Sequence, residues 1–368
     1  MTDTPIPVFD GHNDALLRLF RRGGDAERAF LDGEAAGHID LAKARRGGLA
    51  GGLFAIFSPS DDAAGGGSKV EAMMENPPYD IALPDHLEPT FAQAVTLHMA
   101  ALLFRIERAA DGGVKVCRTV PEIEASIAAG VLAAVLHIEG ADAIDPDLHL
   151  LEVLHEAGLR SLGLVWSRPT IYGHGVPFRF PSSPDTGPGL TDLGRRLVRH
   201  CNARRILIDL SHLNEAGFWD VAKLSDAPLV ATHSNAHALV PHSRNLTDRQ
   251  LAAIRDSGGL VGVNFATSFL RADGRRDADT PLDDVIRHFD HLIGEVGEDG
   301  VGFGSDFDGA TVPRAIGDAA GLPHLVEAMR RHGYGDALLA KLCHGNWLRV
   351  LRRTWGEPRR TGRIELAA

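Results

Sequence analysis

His12 and Asp14 stand two residues apart in VFDGHNDALL, directly after an apolar run. On a strand, residues two apart face the same side, so this imidazole and carboxylate would aim together, as two ligands of one divalent ion do. The same kind of ending recurs along the chain. His137 and Glu139 close GVLAAVLHIEG, Asp209 and His212 close RRILIDLSH, His233 lies in APLVATHS, and Asp306 and Asp308 lie in GVGFGSDFDG. Imidazole nitrogens and carboxylate oxygens form the donor set of zinc and similar ions. A carboxylate shared by two such ions lets the pair make a water nucleophilic at neutral pH and polarise the bond it attacks. One strand-end histidine among the 18 in the chain would ordinarily be structural. The same residue types at the ends of successive strands point to one site.

Those positions impose a scaffold. Short apolar runs, each ending in a polar or glycine-containing turn, read PVFDGHND, GGLAGGLFAIF, GVLAAVLHIEG, LRSLGLVW, RRILIDLSH, APLVATHS, GGLVGVNF and GVGFGSDFDG. Near-continuous apolar runs of this length suit strands buried on both faces of a parallel sheet. Helical segments lie between them. Residues 191–203 open on Thr191 and place Leu193, Leu197 and Val198 at helical spacing; residues 247–259 open on Thr247 and end in glycine. The alternation predicts an α/β fold, a (β/α)8 barrel whose strand ends meet on one rim. A single domain over 1–368 fits, with a loop insertion at 58–90 rich in Gly, Pro and Asp. That loop could be a lid over the site or a tolerated surface excursion.

Composition narrows the function. The formal charge is -11 and the arginines are scattered, which excludes a nucleic-acid binder. Three distant cysteines, Cys117, Cys201 and Cys343, make neither a disulfide framework nor a thiolate zinc site. The opening MTDTPIPVFD has no basic and apolar leader, and no run reaches membrane-spanning length, so a cytoplasmic protein with no membrane partner is expected.

The segments DGHNDAL, IEG, DLSH, THSNAHALVPHSRNLTD, GSDFDG and HGNWLRV, in this order from about residue 8 to 353, resemble the membrane (renal) dipeptidase family of binuclear zinc peptidases, as a bacterial-type soluble member. The resemblance implies a TIM-like barrel of the amidohydrolase type and a zinc-dependent dipeptidase that uses a metal-bridging hydroxide. By position, His12 and Asp14 match the ligands of one Zn2+, Glu139 the bridging carboxylate, and His212 and His233 the ligands of a second Zn2+. Arg244 matches the arginine that grips the substrate's C-terminal carboxylate, a role suited to a planar guanidinium. Asp306 matches the catalytic carboxylate that meets the nucleophilic water and carries its proton. A dipeptide substrate and a homodimer are implied as well.

One stretch departs from the family pattern. Where family members carry a histidine that helps stabilise the oxyanion, this chain has Trp166 in LRSLGLVWSRPTIYGHG. Tyr172, His174 and Arg168 are nearby substitutes among which the sequence does not choose. The departure keeps open a second activity, amidohydrolase-type cleavage of another small carboxylate-bearing amide or lactam. A non-catalytic metal-binding barrel is the reading from another class; it would require a missing ligand, and all five expected ligands are present. Of the remaining polar residues, His137 is expected to be buried beside the site, Asn13 to bond backbone at the rim, and His237 and His242 to lie on the surface. Asp308 is expected to form a turn, Asp209 to orient His212 or cap a turn, and Trp347 and Leu348 to pack the final helix into the core.

Overall fold

The computed structural model describes residues 5–60 and 71–356; residues 61–70 of the expected insertion lie outside the described residues. The first strand, β1 (Val8–Asn13), is buried along its whole length although Asp10, Gly11, His12 and Asn13 are polar or glycine. Burial of such residues is tolerable only where partners wait for them, and the barrel supplies those partners.

Seven further strands follow: β2 (Leu49–Phe57), β3 (Leu132–Glu139), β4 (Leu159–Gly163), β5 (Leu207–Asp209), β6 (Val230–Ala231), β7 (Leu260–Val263) and β8 (Val301–Phe303). All pair in parallel in chain order, and β1 pairs with β8 at Asp10 and Phe303, which closes the ring. The longest ladder joins β2 to β3, from Gly51 opposite Ala133 to Phe57 opposite Glu139. A short strand, Val114–Val116, adds to the lower edge of β3. The fold is a (β/α)8 barrel.

The helices between strands start where their sequences say. Thr191 caps Asp192–Arg204 by accepting the Gly194 amide, and Thr247 forms a reciprocal capping box with Gln250 at the start of Asp248–Ser257. Among the described residues no helix is long and apolar enough to cross a membrane.

Two packing features set the height of the site. At one end of the barrel, Phe9, Leu53, Val135, Leu207, Val230 and Leu260 form one apolar cluster with Trp347, Leu348, Val350 and Leu351 of the last helix, Asn346–Trp355. The indole of Trp347 donates to the Phe303 carbonyl at 2.8 Å. A Cβ on Gly11 would lie 2.3 Å from that indole and 2.5 Å from the Thr232 carbonyl oxygen, so only glycine fits there. Close packing against this plug is what requires glycine at position 11.

The rim at the other end is roofed by two excursions that find each other. Tyr79–Ile81 pairs antiparallel with Phe178–Phe180, and Met74, Tyr79, Ile81, Phe178 and Phe180 pack as a small apolar cluster. Tyr79 donates to the Gly274 carbonyl at 2.8 Å, and Arg276 pairs with Glu71 and Glu75. The described part of the 58–90 insertion therefore lies over the strand ends.

Candidate metal centre

The plain strand alternation expected for His12 and Asp14 is not what aims them. From Asp10 to Asn13, β1 takes three steps while β2 takes two, from Gly52 to Phe54. This bulge adds a residue and re-aims the strand end, and the chain then enters the helix Ala15–Arg22 at Asp14. His12 Nε2 ends 3.5 Å from Asp14 Oδ2 and 3.7 Å from Glu139 Oε1.

Glu139 closes β3 and is the point of convergence. Its Oε1 also lies 3.0 Å from His212 Nε2 and 3.3 Å from His233 Nε2. Neither histidine lies within a strand as the structure defines it. His212 follows β5 in a turn with φ +66°, and His233 lies just beyond the two-residue β6. Asp306 lies beyond β8 at φ +59° and Asp308 at +67°. Left-handed backbone at non-glycine residues costs free energy and concentrates at working sites.

Hydroxyls orient the rings. Ser167 Oγ is 2.9 Å from His212 Nδ1, and Thr232 Oγ1 is 2.8 Å from His233 Nδ1. Thr232 has one hydroxyl proton and gives it to Asp209 Oδ2 at 2.6 Å. It must therefore accept from His233 Nδ1–H, which leaves the Nε2 lone pair facing Glu139, the tautomer a metal ligand needs. Asp209 thus serves His233 through Thr232, and also caps its own turn at the Ser211 amide, rather than orienting His212.

Electrostatics favour a cation here. Burial opposes a charge on His12, yet Glu139, Asp14 and Asp306 outweigh it and lift its pKa to about 10. Burial, together with Asp14 and Asp306, holds Glu139 well above the usual carboxylate range despite the opposing pull of His12. Burial likewise raises Asp306, with Asp14 adding to it. His212 and His233 are pushed far down by burial and then by neighbouring positive charge, so both are neutral donors. Both nitrogens of His12 and Oδ1 of Asp14 are buried without a hydrogen-bond partner. Ligand atoms of His12, Glu139 and His233 lie within 4.8 Å of one another, as do those of His12, Asp14 and Asp306. Unpartnered donors, an excess of carboxylate and neutral imidazoles together fit divalent ions.

Two residues that sequence reasoning missed complete the geometry. A Cβ on Gly309 would lie 2.1 Å from Asp14 Oδ2 and 2.4 Å from Asp306 Oδ1, so the last glycine of SDFDG is what lets the two carboxylates draw together. Asp10 accepts the Ser305 amide and hydroxyl, both at 2.7 Å, tying the Asp306 turn to β1. Only the closeness of these residues in sequence to His12 and Asp306 could have hinted at them.

The other expectations divide. Trp166 lines a cavity of about 380 Å³ over the strand ends, whose walls include Phe57, Phe178, Phe269, Glu139, His212 and Asp306. Its ring lies 5.8 Å from that of His212 and 4.9 Å from that of Phe57. Tyr172 is turned away, its hydroxyl on the Ile144 and Asp145 carbonyls. Arg168 is buried against Asp142 and the Ser58 carbonyl. His174, half-buried, gives its carbonyl to the Asn214 amide, and its ring is not on the cavity wall. Arg244 is buried with its guanidinium 5.5 Å from the Phe269 ring, bonded to the His233 carbonyl at 3.1 Å and to Ser234 Oγ at 3.4 Å, with Nε unpartnered. Asp308 pairs with Arg18 and accepts the His38 amide. Asn13 bonds the Leu53 carbonyl, as expected. His242, expected at the surface, is buried among Tyr79, Phe180 and Phe269.

Comparison with known proteins agrees with this geometry. Residues 3–360 match the family described as membrane dipeptidase (peptidase family M19). An uncharacterized protein of the pqqA 5′ region of Klebsiella pneumoniae is 52% identical over 255 residues, covering 69% of this chain and 94% of that one. A metallo peptidase from Rhodobacter sphaeroides, solved with a phosphinate mimic of the dipeptide L-Ala-D-Ala, is 59% identical with a TM-score of 0.94, over 95% of this chain and 100% of that one. The dipeptidase AC, a metallo peptidase, is 58% identical with a TM-score of 0.93, over 96% and 99% of the two chains.

Proposed function

This chain belongs to the membrane dipeptidase family and is a metallopeptidase that hydrolyses dipeptides, and from that premise we propose that it works with two zinc ions, one held by His12 and Asp14, the other by His212 and His233, with Glu139 shared. The observation that carries the reading is the approach of three imidazole Nε2 atoms to the single oxygen Glu139 Oε1, at 3.0, 3.3 and 3.7 Å. Bound there, the ions supply the acidity that makes a water nucleophilic at neutral pH and the charge that polarises a peptide carbonyl.

The chain's own residues do the rest. Asp306, held by the Asn264 amide at 3.0 Å and on the cavity wall, takes the proton released by the attacking water and returns it to the leaving amine. Arg244 binds the C-terminal carboxylate of the substrate after swinging off its long contact with Ser234. Phe57, Trp166, Phe178 and Phe269 exclude water from the bond being cut and favour apolar side chains. Trp166 stands where family members carry a histidine, so the end of β4 would offer the oxyanion an indole in place of an imidazole.

The test pairs elemental analysis with a panel of L-L and L-D dipeptides and N-acyl amino acids. Two equivalents of metal and turnover confined to dipeptides are expected. One equivalent or none in protein never exposed to chelator overturns the binuclear reading, and preference for N-acyl amino acids overturns the substrate assignment.

A further inference from the structure

Below the ligand atoms, the barrel interior holds a second polar cluster whose central imidazole, His137, the mechanism does not use. His137 and Asp209 are buried, and ligand atoms of His12, His137 and Asp209 lie within 4.8 Å of one another. The rings of His12 and His137 meet edge to face, 5.4 Å between centroids and 82° between planes. His12 turns Nε2 toward Asp14 and Glu139, so its Nδ1 is on the other side of the ring, buried and without a partner. His137 Nε2 is also buried and unpartnered, 3.6 Å from Asp209 Oδ2, too far for a direct hydrogen bond.

If Nε2 of His12 binds an ion, Nδ1 must carry the proton and needs an acceptor, because metal-bound imidazoles are oriented by the bond their other nitrogen makes. No direct acceptor is in reach. Asp209 Oδ1 already accepts the Ser211 and Thr232 amides, and Oδ2 accepts only the Thr232 hydroxyl. One lone pair of Oδ2 is therefore free.

Resting on the binuclear reading, we propose that His137 is a positioning residue for the His12 ion, acting through a buried water shared by His12 Nδ1, His137 Nε2 and Asp209 Oδ2. The water accepts from His12 Nδ1–H and donates to Asp209 Oδ2 and to His137 Nε2, making the three bonds usual for a buried water. His137 then gives its Nδ1 proton to Ser161 Oγ, 2.9 Å away. Asp209 thereby joins both halves of the site: through the water to His12, and through Thr232 to His233.

The experiment is zinc titration of the metal-free protein, wild type against His137→Phe and His137→Gln, with anomalous diffraction from zinc-loaded crystals to assign each ion. Phe keeps the ring volume and removes both nitrogens; Gln keeps a polar group able to hold the water. His137→Phe is expected to weaken one ion about 10- to 100-fold, with anomalous density lost beside His12 and Asp14 and kept beside His212 and His233. His137→Gln is expected to recover part of that loss, which a purely packing role would not produce. Should His137→Phe not fold, Ser161→Ala repeats the measurement from the far side of the ring, with a smaller loss at the same ion. Wild-type dissociation constants for both ions in the variants, or equal weakening of both, overturn the proposal. Fewer than two ions in the wild type instead overturns the binuclear reading, and this inference with it.

Discussion

His212 and His233 hold their Nε2 atoms 3.1 Å apart, and both lie beside the same oxygen of Glu139. With the His233 proton fixed on Nδ1 by Thr232, its Nε2 lone pair faces the Glu139 oxygen in a buried space. Such crowding is favourable when cations lie among the groups. Chelation should therefore destabilise the fold as well as stop turnover. An ion present at a thousand times its dissociation constant contributes about 4 kcal/mol. Melting followed before and after dialysis against chelator should show a lower midpoint that zinc restores; an unchanged midpoint would mean the ligands are satisfied without ions.

Thr232→Val keeps the volume of the side chain and removes the hydroxyl between His233 and Asp209. His233 then loses the group that fixes its tautomer. Affinity for one zinc should fall roughly 10- to 100-fold, measured by competition with a chromophoric chelator. Wild-type affinity in this variant would show that the ring is oriented by packing alone.

Asp306→Asn leaves the Asn264 contact possible and removes the proton acceptor. Turnover should fall about 10²- to 10⁴-fold while metal content stays at the wild-type level. Near-normal kcat would remove Asp306 from the proton path.

Arg244→Ala should separate substrates by their C-terminus. Dipeptides with a free carboxylate should lose roughly 10²-fold in kcat/KM, about 3 kcal/mol of charge-assisted hydrogen bonding. C-terminal amides, slow to begin with, should barely change. Equal losses for both would show that the buried guanidinium supports the His233 loop and does not meet the substrate.

His288 ties stability to pH away from the metal centre. Its Nδ1 accepts the Ala236 amide and its Nε2 faces the Leu270 carbonyl, both at 3.2 Å, so the neutral ring is satisfied. Burial pushes its pKa from 6.5 down to about 3. The unfolded chain then binds a proton that the folded chain refuses, and stability present above pH 6.5 is lost as pH falls. At one unit below the unfolded pKa the loss is about 1.4 kcal/mol. Urea midpoints of metal-free protein at neutral and mildly acidic pH should drop less for His288→Gln than for the wild type. Equal drops would place the acid sensitivity elsewhere.

The candidate ligands could be picked from the chain because metal chemistry restricts which side chains can serve and the barrel restricts where they stand. Legible too were the eight strands and the caps at Thr191 and Thr247, which rest on local patterns. What could not be read depends on contacts between distant segments or on unusual backbone. The bulge in β1 arises from its register against β2. The left-handed turns at His212 and Asp306 lack the glycine that would have signalled them. The roof needs residues 79–81 to meet 178–180, and His242 is buried because that roof covers it. The need for glycine at position 11 was equally hidden, since the indole that excludes a side chain there comes from Trp347, far along the chain.

That plug has a consequence for how the protein is made. His12 lies on the short strand β1, and Trp347 packs against that strand from the other end of the chain. During synthesis, His12, Asp14 and Glu139 leave the ribosome long before His233, and the strand that seals the ring comes later still. A nascent chain therefore carries half of the proposed metal site with no floor beneath it and without His212 and His233. On the binuclear reading, capture of both ions is a late event that follows barrel closure.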